Sequence, residues 1–371
     1  MIFDLHCHVG FSARRVAAEV PRFSFEPHGA AGSPGFDSYL SPRLFGRPAW
    51  FFVRRWLGLD RRLGRGEALD AQIEAVNERQ WTATRGVDRL VLLAFDEYHD
   101  DAGRPVGMAR RGQRLGSDLY VSNSLVRALC AARPNRFLFG GSVHPYRVHE
   151  GPTGRGNACD LLSELAAGGA VLIKWLPIHQ NIRADDPRTI AFLRRAAELR
   201  VPMLIHYGGE MSLSHQHREF ESPVPLLRVL HGLRREGKMP TVMVSHAATP
   251  SFIWQSAAGH RALVDALLGQ FADAPLYAEI AALGAFGRTR WLRRLARRKE
   301  LQRKLVWGSD YPVPVMVRAF WRVLDRRTRL EIAALPSWID QSLRLAQAMG
   351  YDQGVFTRAA EILRLSPDRR R

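Results

Sequence analysis

Near the start of the sequence two histidines are separated by one residue, His6-Cys7-His8. In an extended strand alternate side chains share a face, so both imidazoles can reach one ion while Cys7 points the other way. Alone the motif is weak, because HxH recurs by chance. It gains weight from other polar residues that close apolar segments further on: Lys174 in LIKWLP, His206 in LIHYG, His246 in VSHAA and Asp310 in WGSDYP. A single histidine after a strand is ordinarily a hydrogen-bonded structural group. Several separate segments, each ending on such a residue, point instead to a metal centre.

The segments that must position these groups are short and strongly apolar. They are Ile2 to His6, Arg89 to Phe95, Phe137 to His144, Ala170 to Trp175, Pro202 to His206, Thr241 to His246, Leu276 to Ile280 and Lys304 to Ser309. Near-continuous apolar runs suit strands buried on both faces, as in a parallel sheet. Helical patterns lie between them, at Glu67 to Gln80, Leu119 to Ala132, Asp160 to Ala167, Pro187 to Leu199, Pro225 to Arg235 and Leu263 to Phe271. Eight strands alternating with helices predict an α/β fold, a (β/α)8 TIM barrel, whose strand C-terminal ends form the catalytic face. A doubly wound open sheet is the alternative, but no GxGxxG follows the first strand.

The whole chain, 1–371, reads as one barrel domain with a long insertion after the first strand. Residues 11–65 exceed the roughly 2–6 residues of an ordinary βα connection and are expected to form a lid or cap over the pocket. Within them, Trp50-Phe51-Phe52-Val53-Arg54-Arg55-Trp56-Leu57 is basic and aromatic, so 48–57 also carries a secondary expectation of peripheral membrane contact. A second insertion is expected around His99 to Asp118, and Pro367 to Arg371 reads as a frayed tail.

Taken as a set, HCH on the first strand followed by Lys174, His206, His246 and the SDYP of Asp310 resembles the amidohydrolase superfamily. The similarity is greatest to its amidohydrolase-related branch, which includes aminocarboxymuconate-semialdehyde decarboxylase and the resorcylate-type decarboxylases; it extends over residues 1–10 and about 68–365. The resemblance implies that His6, His8 and His206 supply nitrogen ligands and Asp310 an oxygen ligand to one divalent metal. Zn²⁺ suits this set, with Mn²⁺, Fe²⁺ or Co²⁺ as alternatives. It further implies that Asp310 moves a proton and that His246 orients water or stabilises an oxyanion. In two-metal members a carbamylated lysine at the position of Lys174 bridges the ions, and His246 would then join the second metal's ligands. In the plainer reading Lys174 pairs with Asp310 or with a substrate carboxylate. Four lysines in the whole chain make this one conspicuous.

Other candidates are softer. His144, Trp175, Tyr207 and Tyr311 flank the strand ends and are expected to touch substrate. Glu210, Glu279, Asp96, Glu97 and His99 lie near the same face. His215 and His217 repeat the HxH spacing in a polar, loop-like stretch and read as exposed. The function implied is hydrolysis of a C–N or ester/lactone bond in a small molecule by a hydroxide generated on the ion. A metal-dependent, non-oxidative decarboxylase of an aromatic or muconate-like acid is the alternative, and a non-enzymatic basic binding protein a remote one.

The bulk composition sets bounds on these readings. The formal charge is +18, from 54 basic and 36 acidic residues. The excess is spread along the chain with none of the usual nucleic-acid-binding signatures, so it predicts a solvated surface and attraction to anionic small molecules rather than a nucleic-acid partner. Three dispersed cysteines fit a reducing compartment. With no leader-like start and no long apolar run, a cytoplasmic location is expected, and a homodimer is a further expectation.

Overall fold

The computed structural model describes residues 1–26, 35–151 and 154–363. Eight parallel strands form one sheet in chain order. They are β1 (Phe3–His8), β2 (Arg89–Leu93), β3 (Phe137–Gly141), β4 (Leu172–Trp175), β5 (Met203–His206), β6 (Val242–Ser245), β7 (Leu276–Glu279) and β8 (Leu305–Val306). The sheet closes just beyond the end of β8. The Asp310 amide donates to the His6 carbonyl (2.8 Å), the His8 amide donates to the Tyr311 carbonyl (2.8 Å), and Cys7 pairs with Tyr311 in parallel. The fold is thus the expected TIM barrel.

The apolar strands are buried on both faces. Phe3, Leu5, Val91, Leu93, Leu138, Leu172, Leu204, Met243 and Val306 fill the barrel interior, joined by Ala359 and Ile362 of the last helix, Gln353–Ile362. Residues of opposite parity, among them Leu92, Phe139, Ile173, Ile205 and Val244, pack outward in a second cluster shared with the helices. Two faces of apolar contact per strand remove the hydrophobic/polar alternation a half-exposed sheet would show.

Helices Glu67–Ala83, Ala158–Ala167, Pro187–Glu198 and Val224–Arg235 lie where their periodicity placed them, within three residues at either end. Two expectations require correction. The helix expected over Leu119 to Ala132 begins at Asn123, because Ser122 caps it by accepting from the Leu125 amide (3.1 Å). Leu119–Val121 is a strand, paired antiparallel with Ser38–Leu40. The helix expected over Leu263 to Phe271 runs instead from Ala258 to Leu268 and stops at Gly269.

Between β1 and Glu67, the described residues contain short strands Ala13–Arg14 and Ser38–Leu40 and helices Pro42–Phe45 and Pro48–Leu57. Residues 27–34 of this stretch and the tail from 364 onward lie outside the described residues. Buried carboxylates fasten the stretch to the barrel. Asp70 accepts from the Ala13 amide (3.1 Å), Glu26 from the side chains of Asn123 (2.8 Å) and Ser124 (2.6 Å), and Asp118 from Ser41 (2.8 Å) and Arg43 (2.8 Å). On Pro48–Leu57, Trp50 and Arg54 are buried, whereas Phe51, Phe52, Arg55 and Trp56 share an exposed face. Among the described residues no helix is long and apolar enough to cross a membrane.

Candidate metal centre

His6 and His8 reach the barrel interior through an irregularity in β1. Asp4 pairs with Leu90 but Cys7 pairs with Leu92, so β1 carries one extra residue over that interval. Such a bulge re-aims the side chains beside it. Leu5 and His8 both face inward as a result, while Cys7 packs outward as a buried free thiol whose pKa burial pushes well up.

Three donor atoms then converge. His6 Nε2 and His8 Nε2 are 3.0 Å apart, and each lies 3.2 Å from Asp310 Oδ1. His6 Nδ1 faces both carboxylate oxygens of Glu279 (2.9 and 3.0 Å). That contact places the His6 proton on Nδ1 and leaves Nε2 with a bare lone pair aimed at the cluster. Lone pairs and a carboxylate oxygen gathered this closely repel one another unless a proton or a cation lies between them, and the His₂-carboxylate donor set is that of a divalent-metal site.

His246 and His206 complete a ring of imidazoles. His246 stacks on His6 with ring centroids 5.4 Å apart, and His206 meets His246 edge-on at 4.7 Å. His246 Nδ1 donates to the Ala281 carbonyl (2.9 Å), so its Nε2 is also bare; it lies 3.9 Å from Asp310 Oδ2. His206 Nε2 is buried without a hydrogen-bond partner, its closest acidic atom being Glu210 Oε2 at 3.6 Å. An orphaned, buried nitrogen beside three convergent donors is the second feature that fits a bound cation. The backbone here is strained: Asp310 has φ 61°, and His246, Ala247 and Ala248 have φ of 57°, 49° and 51°. Left-handed geometry at non-glycine residues costs on the order of 1–3 kcal/mol each, and persists where surrounding structure over-determines it.

Burial pushes the imidazoles of His6, His206 and His246 well below their ordinary pKa and keeps them neutral, the state that ligates. Burial would raise Asp310, but His6 and His8 outweigh it and hold the carboxyl below its usual value. Lys174 is buried at the end of β4, where burial lowers its pKa against the opposing charges of Glu279 and Asp310. Its ammonium donates to Ser245 Oγ (3.1 Å) and is not paired with Asp310. Glu279 is driven upward by burial.

The softer candidates are placed elsewhere. His144 is saturated by protein groups: Nε2 donates to the Gln180 carbonyl (2.7 Å) and Nδ1 accepts from the Tyr146 amide (3.1 Å). The Trp175 indole donates to the Val143 carbonyl (2.8 Å) against Phe192, and Tyr207 is buried in the same outer cluster. The Tyr311 hydroxyl donates to Asn77 (2.8 Å). The structure therefore does not bring these four to the cluster. Asp96 and Arg147 form a buried pair, and Glu97 accepts from the Tyr39 hydroxyl (2.7 Å). His99 stacks on His144 at 4.4 Å. His215 and His217 are half-buried; His215 contacts the Glu210 carbonyl, and His217 contacts Tyr98 (2.9 Å) and Glu219 (3.1 Å). Two groups escape a reading of the sequence. Asp4 ties β1 to the β8 end by accepting from the Ser309 amide (2.8 Å) and hydroxyl (2.5 Å), and burial raises it to about 7. Arg288 is buried after β7.

The chain belongs to the amidohydrolase family, whose model matches residues 92–319. That span contains Lys174, His206, His246, Glu279 and Asp310, whereas His6 and His8 lie before it. Among solved structures, an uncharacterized TIM-barrel protein from Bordetella bronchiseptica has a TM-score of 0.52 at 17% identity, covering 98% of this chain and 99% of that one. A 5-carboxyvanillate decarboxylase from Sphingomonas paucimobilis has 15% identity and a TM-score of 0.47, covering 98% and 99%. An amidohydrolase from Bifidobacterium longum subsp. infantis has 15% identity and a TM-score of 0.45, covering 99% and 100%. The first supports the barrel fold. No curated protein matches the chain.

Glu279 offers a direct test of the ligand arrangement. Glu279→Gln keeps an acceptor for His6 Nδ1–H but removes the carboxyl whose ionisation, opposed by burial that raises it to about 8, would make the ring a better donor to a cation. Metal affinity measured by chelator competition is expected to weaken about 10- to 100-fold; unchanged affinity would reduce Glu279 to a packing role.

Proposed function

We propose that the chain is a single-domain, metal-dependent hydrolase that cleaves a C–N or ester/lactone bond in a small anionic molecule. The observation that carries this reading is the convergence of His6 Nε2, His8 Nε2 and Asp310 Oδ1 within 3.2 Å at the C-terminal face of the barrel. His206 Nε2, buried and unpartnered, is the further ligand. The nitrogen-rich set suits Zn²⁺ first, and Mn²⁺, Fe²⁺ or Co²⁺ after it. Such an ion supplies polarisation of the scissile carbonyl and a lowered pKa for water.

The protein's own groups divide the remaining work. Asp310 turns Oδ1 toward the two imidazoles, which leaves Oδ2 to take a proton from the attacking water and return it to the leaving group. The 3.9 Å between Oδ2 and His246 Nε2 is long for a direct hydrogen bond and leaves a place for a bridging water. Because His246 donates through Nδ1 to Ala281, its Nε2 accepts. His246 thus orients the water, and its neutral form cannot donate to an oxyanion from that atom. The described residues of 11–65 are assigned as the cap of this face, limiting bulk water at a site where His8 is 24% and Asp310 9% exposed.

One ion per chain is the expected content, and Lys174→Ala is expected to leave it unchanged, because Lys174 is engaged by Ser245 rather than turned to the Asp310 carboxylate. Elemental analysis of protein purified without chelators checks this; two ions falling to one in the variant would establish a carbamylated bridge instead. The reaction itself is tested with a panel of amides, lactones and hydroxybenzoates. Water-dependent product formation supports the hydrolase, whereas CO2 release without water consumption would overturn it in favour of a carboxy-lyase.

A further inference from the structure

Helix Pro48–Leu57 presents its aromatic stripe to solvent. Pro48, Phe51, Phe52, Arg55 and Trp56 recur at the i, i+3, i+4, i+7, i+8 spacing of one helical face. All five are exposed, Phe51 by 46%, Phe52 by 56% and Trp56 by 45%. Phe51 and Phe52 meet edge to face with ring centroids 5.7 Å apart. The opposite face holds the helix to the protein. Trp50 is buried against Phe45 (5.1 Å), and the buried Arg54 guanidinium donates to the carbonyls of Asp60 and Leu63. Gly58, with φ 67°, closes the helix in the left-handed region, and Leu59 is buried directly after it. The helix is thereby fixed in orientation, and three large aromatic side chains of one contiguous face are left to solvent.

Positive charge is gathered at the same place. Residues 42–66 carry seven arginines and one acidic residue, Asp60. Arg55, Arg61 and Arg62 are exposed, and Arg61 lies over the Phe51 ring at 5.0 Å. The Asp60 carboxylate is folded back on the chain, accepting from the Arg62 amide (2.9 Å). That charge selects the occupant. A second copy meeting this face through a two-fold axis would set the same arginines against themselves. An apolar protein groove would strip them of water without supplying an anion. A bilayer that contains anionic lipid suits both kinds of group, because aromatic rings settle at headgroup depth while guanidinium groups reach the phosphates. The formal charge of +18 adds a longer-range attraction to such a surface.

We propose that this face docks the protein peripherally on an anionic lipid surface, with helix Pro48–Leu57 lying in the plane of the headgroups. Phe51, Phe52 and Trp56 enter the interface, and Arg55, Arg61 and Arg62 meet the lipid phosphates around them.

The test is cosedimentation of the full chain with vesicles of phosphatidylcholine alone and of equal parts phosphatidylcholine and phosphatidylserine, beside sedimentation equilibrium without lipid. Wild type is expected to bind the mixed vesicles, more weakly at high salt. Phe52→Ala with Trp56→Ala is expected to weaken that binding about 10- to 100-fold. Arg55→Gln, Arg61→Gln and Arg62→Gln together are expected to weaken it about 100-fold, roughly 5-fold for each charge. Where a multiple variant does not fold, Trp56→Ala and Arg55→Gln singly carry the test, each with a loss of roughly 5-fold. No binding of wild type to the mixed vesicles, or full binding retained by either the aromatic or the arginine variant, would overturn the docking face. Equal binding to phosphatidylcholine alone would overturn the anionic assignment. A wild-type dimer that the aromatic variant dissociates would put a second copy on this face and overturn the lipid.

Discussion

Alanine at both His6 and His8 is expected to reduce bound metal from about one ion per chain to none, and to lower turnover by roughly 10³-fold or more, since the ion contributes several kcal/mol of transition-state stabilisation. The expectation follows from the closeness of the three donors. With Nε2 atoms 3.0 Å apart and Asp310 Oδ1 3.2 Å from each, deleting both rings leaves one carboxylate oxygen and the isolated His206 to hold a divalent ion. Elemental analysis and product formation on one preparation check it together. Undiminished activity in the metal-free double variant would overturn the enzymatic account and favour a barrel used as a binding scaffold.

Asp310→Asn separates ligation from proton transfer. The amide oxygen can replace Oδ1 between His6 and His8, but the nitrogen in place of Oδ2 cannot accept a proton. Metal content is therefore expected to persist while kcat falls about 10²- to 10⁴-fold, the range for losing a positioned general acid–base, with a smaller change in KM. Steady-state kinetics beside metal analysis distinguishes this from simple ligand loss. Metal and activity disappearing in parallel would confine Asp310 to coordination.

Much of this centre is legible in the sequence because it obeys two periodicities at once. Strands buried on both faces read as apolar runs, and a polar residue that ends such a run has only the barrel mouth to occupy; His206, His246 and Lys174 were visible for that reason. The same parity argues against two substrate contacts. If Leu172 and Lys174 face inward then Trp175 faces the helices, and Tyr207 follows His206 outward by the same rule. The bulge in β1 could not be read, because it depends on the register with β2. Glu279 ends β7 as a polar residue should, but its partner, His6, is set by barrel closure rather than by spacing. Arg288 was hidden by abundance: in a chain with 54 basic residues nothing local marks those that are buried. The strand Leu119–Val121 was lost within a longer apolar stretch because its pairing partner, Ser38–Leu40, lies far away in sequence.

The seam of the barrel runs through the proposed metal centre, where the Asp310 amide donates to the His6 carbonyl. About 300 residues separate the two sides of that seam. During translation at about 5–20 residues per second, His6 and His8 therefore wait roughly 15 to 60 s for the residue that completes their ligand set. Throughout that interval the pair is an open, incomplete chelate on a growing chain. On the proposed ligand set, ion capture would be one of the last events of biogenesis, coincident with ring closure, and the metal loaded would then depend on which ions are available at that moment as well as on the site's own preference.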